Sequence, residues 1–283
     1  MARVISPLFI LNEPFPLGSG SLYNMLKVQK YLKNHSLDDL YKEYKIEYSK
    51  KNGKVSLHYN IYNSPKGEDI CNECCGLILR DFSWDVVSYP FNRIYDYESK
   101  YNSKINISRS NFVETMGGAL VQVYYDNIMD EWCISSERTS EGDELCKKIL
   151  ANYKMLTLMA FDRIGKPFKK IQKKMDADIV YIFELITPYS KPYNRKYNRN
   201  DIKLILVGIR DLITLKELHP TFGNVYLNFP LPMEYKFCSI EQALEFVSKK
   251  SDENYGLFFK MVDLYDISFD RFIIKSTFNK KKT

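Results

Sequence analysis

The stretch Phe112-Val113-Glu114-Thr115-Met116-Gly117-Gly118-Ala119-Leu120-Val121-Gln122-Val123-Tyr124-Tyr125 decides the fold. Its second half, Ala119 to Tyr125, reads as a strand rich in β-branched and aromatic residues, with the glycine pair Gly117-Gly118 just before it. Trp132-Cys133-Ile134 follows at hairpin distance and reads as the partner strand.

Working outward, the same two-residue period returns upstream. Tyr44, Ile46 and Tyr48 alternate with polar residues, as do Val55, Leu57, Tyr59 and Ile61, and Asn52-Gly53 between the runs is a strong hairpin signal. Leu77-Ile78-Leu79 and Val86-Val87 flank Trp84 as further strands. The first forty residues read as helical, with Leu22, Met25, Leu26 and Tyr31 as apolar positions and Ser36 as a cap for the helix from Leu37.

Downstream, a long helix is predicted from about Gly142 to Ile164, then a basic helix from Phe168 to Met175. Ile179 to Ile186 and Ile202 to Ile209 read as buried strands, and Ser239-Ile240-Glu241-Gln242 as a capping box opening a helix through Val247. Leu257-Phe258-Phe259 and Phe272-Ile273-Ile274 close the chain as strands. Strand pairs with interspersed helices predict an α+β fold, antiparallel sheets with flanking helices. No repeat or Pro/Gly/Ser linker interrupts the chain, so a helical segment over 1–40 is expected to pack on one compact unit over 41–283.

Composition narrows the function classes. With 283 residues, 45% of them hydrophobic, the chain can bury a full core. No apolar run is long enough to span a bilayer or to serve as a secretory signal, so a cytoplasmic protein without a membrane partner is expected. A net charge of +6 permits nucleic-acid binding without requiring it, and nothing favours DNA. Six cysteines are too sparse for a disulfide scaffold, so reduced thiols are expected. The richness in Lys, Asn, Ile and Tyr fits an AT-rich genome, as in a phage, another virus or a low-GC bacterium.

Phe112 to Ala119 resembles the nucleotide-attachment motif of phage-type ATP-dependent RNA ligases, members of the covalent nucleotidyltransferases. There the motif is roughly Lys-x-Asp-Gly-Ser, and the lysine takes AMP from ATP. Here Thr115 stands in the lysine's place, Gly117 in the aspartate's and Ala119 in the serine's, while Gly118 matches. The resemblance extends over about residues 70–277 and rests on the order of several short elements. A Glu-Cys-Arg-Gly element appears as Glu73-Cys74-Cys75-Gly76, its arginine replaced by Cys75. An Arg-Pro-x-x-Lys-Phe-Phe-Asn element appears as Tyr89-Pro90-Phe91-Asn92-Arg93-Ile94-Tyr95-Asp96, with Arg93 keeping the lysine's charge. Phe183-Glu184 matches a Phe-Glu pair, and Lys203 to Arg210 matches a Lys-x-Ile-Leu-Leu-x-x-Arg strand. The Glu-Gly-x-Val element has become Tyr255-Gly256-Leu257-Phe258, and the closing Lys-x-Lys-Ser has become Ile273-Ile274-Lys275-Ser276.

The resemblance implies a ligase-type fold, and the residues imply that its chemistry is degenerate. Adenylylation needs an uncharged lysine amine to attack the α-phosphorus of ATP. Thr115 offers a neutral hydroxyl, and no lysine lies between Lys104 and Lys147 to replace it. Gly117 and Tyr255 stand where the pattern has carboxylates, and Ile273 where it has a cation. Losing one member of a catalytic unit commonly lowers the rate by about 10⁴–10⁶, and further losses add little.

By the resemblance, Arg93, Gly118, Glu184 and Lys275 survive to line a cleft that holds a nucleotide or an RNA phosphate. The expected function is binding of RNA, a nucleotide or a nucleotide-derived ligand without adenylation. One rival is an active ligase with displaced catalytic residues, for which ATP and Mg²⁺ would be required. The other is an interaction protein whose partner is another protein.

Two further segments carry chemistry. Tyr189, Lys191, Arg195, Lys196, Tyr197 and Arg199 interleave cations with rings, which suits single-stranded RNA, or else form a solvated loop. Lys166, Lys169, Lys170, Lys173 and Lys174 form a basic helix face, whose usual meaning is solvation. Cys71, Cys74 and Cys75 begin like a zinc half-site but lack a second pair, so no metal is expected. The histidines, His35, His58 and His219, do not pair in sequence.

Overall fold

A computed structural model describes residues 3–4, 25–97, 110–115, 117–145, 151–187, 202–249, 256–261 and 271–275. In chain order its elements are β1 (Arg3–Val4), α1 (Lys27–Leu32), α2 (Leu37–Tyr44), β2 (Ile46–Lys51), β3 (Lys54–Tyr59), α3 (Asp69–Glu73), β4 (Cys75–Arg80), β5 (Val86–Ser88), β6 (Ile94–Asp96), β7 (Ser110–Thr115), β8 (Ala119–Asp126) and β9 (Glu131–Ser136). Then follow α4 (Tyr153–Arg163), α5 (Phe168–Ile171), β10 (Ile179–Ile186), β11 (Lys203–Asp211), β12 (Glu217–Leu218), α6 (Pro220–Asn224), β13 (Glu234–Lys236), α7 (Ile240–Ser248), β14 (Gly256–Met261) and β15 (Arg271–Lys275).

The strands form three sheets. A four-stranded sheet runs β2-β3-β4-β5, a five-stranded sheet β12-β11-β10-β8-β9, and a six-stranded sheet β1-β13-β7-β14-β15-β6. All pairings are antiparallel except β15 with β6. This is the α+β architecture that the alternating pattern predicts.

Local signals account for most of it. Asn52 and Gly53 both take positive φ, as a tight hairpin turn between β2 and β3 requires. The Ser36 hydroxyl accepts from the Asp39 amide at 3.1 Å and caps α2, while Ser239 caps α7 by accepting from the Gln242 amide. β8 and β9 pair as the hairpin read from sequence.

The layers follow from period-two burial. On β3, Val55 and Leu57 pack with Leu77 and Leu79 of β4 against α1 and α2. The opposite faces of β4 and β5, through Ile78 and Val87, meet Tyr124, Ile182 and Val207 of the five-stranded sheet. That sheet's other face, with Val121, Val123, Phe183 and Leu206, packs on Leu156, Ala160 and Phe161 of α4. The six-stranded sheet and α7 enclose a separate core around Phe112, Tyr235, Phe237 and Phe272.

Two sequence expectations change. Among the described residues the helix predicted from Gly142 starts only at Tyr153: Gly142 has φ +58, Leu145 bridges Asn152, and the Asn152 side chain caps Met155. The N-terminal forty residues are not uniformly helical either, because Arg3 and Val4 pair with Lys236 and Tyr235 as an edge strand. In both places tertiary pairing overrides a local apolar pattern.

Candidate functional site

The turn from β7 into β8 is the centre of the site. Thr115 ends one sheet and Ala119 begins the next, so the intervening residues must change the chain's direction within three positions. Gly117 does so in the left-handed region at φ +70, which glycine adopts without the Cβ penalty.

Glu184 of β10 stands opposite Leu120 and reaches this turn. Its Oε1 accepts from the Thr115 hydroxyl at 2.9 Å and from the Gly118 amide at 2.7 Å. The Thr115 hydroxyl oxygen in turn accepts from the Gly117 amide at 3.2 Å. Thr115 and Glu184 are each 2% exposed. A Cβ on Gly118 would lie 2.6 Å from the Leu185 carbonyl oxygen and 2.8 Å from Glu184 Cγ, so only glycine fits.

Backbone register adds a second part. Thr115 lies opposite Gly256 of β14, and Gly256 lies opposite Lys275 of β15. Thr115, Gly256 and Lys275 thus occupy one row across three adjacent strands, with Gly118 and Glu184 beside its end. Ile273 is half-buried two residues further along β15, opposite Phe258 and Asp96. Tyr255 and the Tyr189, Lys191, Arg195, Lys196, Tyr197 and Arg199 segment lie outside the described residues.

Arg93 is not brought to this row. Ile94, its neighbour, registers with Arg271 and through Lys260 with Asn111, at the far end of β7 from Thr115. The offset is four residues, ~13 Å of strand rise. The guanidinium donates to the carbonyls of Ser64 and Pro65 at 3.2 and 3.1 Å and stacks 4.3 Å from the Tyr59 ring centroid. It holds the Ser64–Pro65 loop against β3, in place of the cleft role that the resemblance implies.

Other matched positions also act in packing. The Glu73 carboxylate accepts from the Lys27 and Val28 amides at 2.9 Å each, docking α1. Burial, against the pull of those two amides, pushes its pKa up to about 7. Cys75 is buried, as are Cys71 and Cys74, and burial raises the Cys74 thiol well above the ordinary range. Arg210 is fully buried, stacks 4.0 Å from the Tyr89 ring centroid, and donates to the carbonyls of Pro90 and Leu215. Among the described residues no three His, Cys, Asp or Glu side chains converge to hold a metal.

The structure also reveals a charged cluster that has no counterpart in the sequence reading. Asp126, at the opposite end of β8, takes Arg80 at 2.6 Å and Lys54 at 3.2 Å, and Lys54 also pairs with Glu141 at 2.9 Å. Burial works against ionisation of Asp126, but the bonds from Arg80, the Met129 amide and Lys54 outweigh it and hold the pKa down to about 2. Between the two ends, Gln122 donates to the Gly76 carbonyl and accepts from Ser88, joining the facing sheets. The alternation of Lys54, Ser56 and His58 with apolar neighbours was visible, but by itself it signals a solvent face.

No protein-family model matches the sequence. By structure, the chain is similar to an archaeal ATP-dependent RNA ligase in two forms, with TM-scores of 0.51 and 0.50 at 14% identity, covering 85% of this chain and 60% of the ligase chain. The fold is that of an RNA ligase-like nucleotidyltransferase. By sequence it is 24% identical over 182 residues to a "Putative bifunctional polynucleotide kinase/RNA ligase" of Autographa californica nuclear polyhedrosis virus. That match covers 59% of this chain and 26% of the viral protein, so the chain spans about a quarter of that relative. The scaffold implied by Phe112 to Ala119 is therefore the one observed. Among the described residues no helix is long and apolar enough to cross a membrane.

Proposed function

We propose that this chain is a catalytically degenerate RNA ligase-like protein, a pseudoenzyme that binds RNA or a nucleotide without becoming adenylylated. The observation that carries the proposal is Thr115. At the position of the attachment lysine stands a buried hydroxyl, already donating to Glu184 and accepting from Gly117. Position 115 carries no amine, and its hydroxyl proton is held by Glu184, so the phosphoramidate that a lysine forms with AMP has no counterpart there. The glycine at 117 supplies a turn in place of a carboxylate.

Ligand binding is supported by what remains. Gly118, Glu184 and the Thr115–Gly256–Lys275 row stay together at the junction of two sheets. The similar archaeal proteins are named as ATP-dependent RNA ligases, which favours RNA or a nucleotide as the ligand class. The viral relative favours a viral protein acting in the host cytoplasm.

Incubation with α-labelled ATP and Mg²⁺ or Mn²⁺, then denaturing electrophoresis, tests the degenerate part. No labelled protein band is expected, and an acid-labile AMP adduct on the folded protein would overturn it. Equilibrium binding of ATP, cyclic oligonucleotides and RNA ends tests the rest. Micromolar binding of at least one is expected. Failure of all of them would favour a second reading, an interaction protein with a filled cleft, which the 2% exposure of Thr115 and Glu184 also supports.

A further inference from the structure

We propose that the face of the five-stranded sheet turned away from the Thr115–Glu184 turn binds single-stranded RNA. A base would enter the groove beside Trp132 and Phe168, and the phosphates would follow the lysines of α5 and the turn after it. The proposal does not rest on the cleft reading. Trp132 pairs with Tyr125, six residues along β8 from Ala119, ~20 Å away, and packs on the α4 side of the sheet.

The groove has a volume of about 580 Å³, within the range of small-ligand sites. Trp132, Leu158, Pro167 and Phe168 make its apolar lining. Both rings are braced from behind. Trp132 lies 5.5 Å edge-on from Tyr125 and 6.3 Å from Tyr181, and Phe168 lies 5.2 Å from Phe161. A ring fixed by its neighbours loses little entropy when a base stacks on it, and such stacking tolerates any base.

The rim carries both signs of charge. Lys154 and Lys169 line the groove, and Lys166, Lys170, Lys173 and Lys174 continue from it. Positions 166–174 hold five lysines and no acidic residue. Among the described residues none of these six lysines is ion-paired. A run of unneutralised like charge repels itself, and a phosphate chain relieves that repulsion. Asp130, Glu131 and Asp162 line the same groove. Carboxylates repel phosphate but accept from ribose hydroxyls and exocyclic amines. The lysines thus suit the phosphates of a strand and the carboxylates its sugar or base donors, and a 2′-hydroxyl favours RNA over DNA.

Fluorescence anisotropy of the full chain with labelled ten-nucleotide RNA, and with DNA of the same sequence, tests this across a salt series. Micromolar RNA binding is expected, severalfold tighter than DNA. A Lys169→Glu/Lys170→Glu/Lys173→Glu variant is expected to bind at least tenfold more weakly, with a salt slope shallower by about 2. Thermal melting checks its fold, and a milder Lys→Gln triple variant should show a smaller loss in the same direction. A folded charge-reversal variant that binds within twofold of the parent would overturn the proposal, as would absence of RNA binding at low salt. DNA bound as tightly as RNA would overturn the assignment of the carboxylates to the sugar.

Discussion

The two ends of β8 face the same neighbouring layer and are built by different chemistry. At one end Asp126 receives two cations, Arg80 and Lys54, inside the sandwich. At the other, Glu184 receives a hydroxyl and an amide from the turn leading into the strand. The first end lies outside the stretches that resemble ligase motifs, whereas the second contains the stretch that resembles the attachment motif. A buried charge cluster is held by the penalty of leaving any member unpaired. The β7–β8 turn is tied differently, by hydrogen bonds to Glu184 and by a steric demand at Gly118. Gly118 illustrates this: its match to the motif follows from the 2.6 Å approach of the Leu185 carbonyl, whether or not a nucleotide binds.

Substitutions can break this contrast. Asp126→Ala should have the largest effect, because Lys54, 1% exposed, and Arg80 lose their shared partner. The expected destabilisation is about 3–5 kcal/mol in urea unfolding, and a loss below about 1 kcal/mol would show that the cluster does not join the sheets. Gly118→Ala should follow, with roughly 1–3 kcal/mol lost as the Leu185 carbonyl and Glu184 are pushed aside. A neutral result there would return the glycine to a ligand-binding explanation.

The smallest effect is set by pH. Asp126 has its folded pKa lowered from 3.8 to about 2, so its contribution is fully present above about pH 4 and disappears as pH falls through 2. About 2 kcal/mol of stability should be lost across that window, and Asp126→Asn should flatten that part of the urea-derived profile. An unchanged slope in Asp126→Asn would assign acid sensitivity to other carboxylates.

Strands and turns with local causes were legible. Asn52-Gly53 dictates its hairpin through positive φ, and Ser36 and Ser239 mark helix starts through their own side chains. The order of short elements from Glu73 to Lys275 was enough for the scaffold. The long helix from Gly142 was misjudged because an apolar, helix-favouring stretch does not report that Leu145 bridges Asn152. Arg93 was legible as a retained charge but not as a clamp on Ser64 and Pro65, since its partners are backbone carbonyls with no residue signature.

By itself the sequence determined the α+β pattern, the ligase-like order of elements and the absence of an amine at position 115, because periodicity and residue identity are properties of the chain. Only the tertiary structure decided where polar side chains go. Lys54, Ser56 and His58 alternate as if facing water, yet the second sheet covers them, leaving Lys54 and Ser56 each 1% exposed. The same packing bonded Thr115 to Glu184 and kept Arg93 away from them. The physical reason is that a period-two pattern records which residues share a face but not what that face meets.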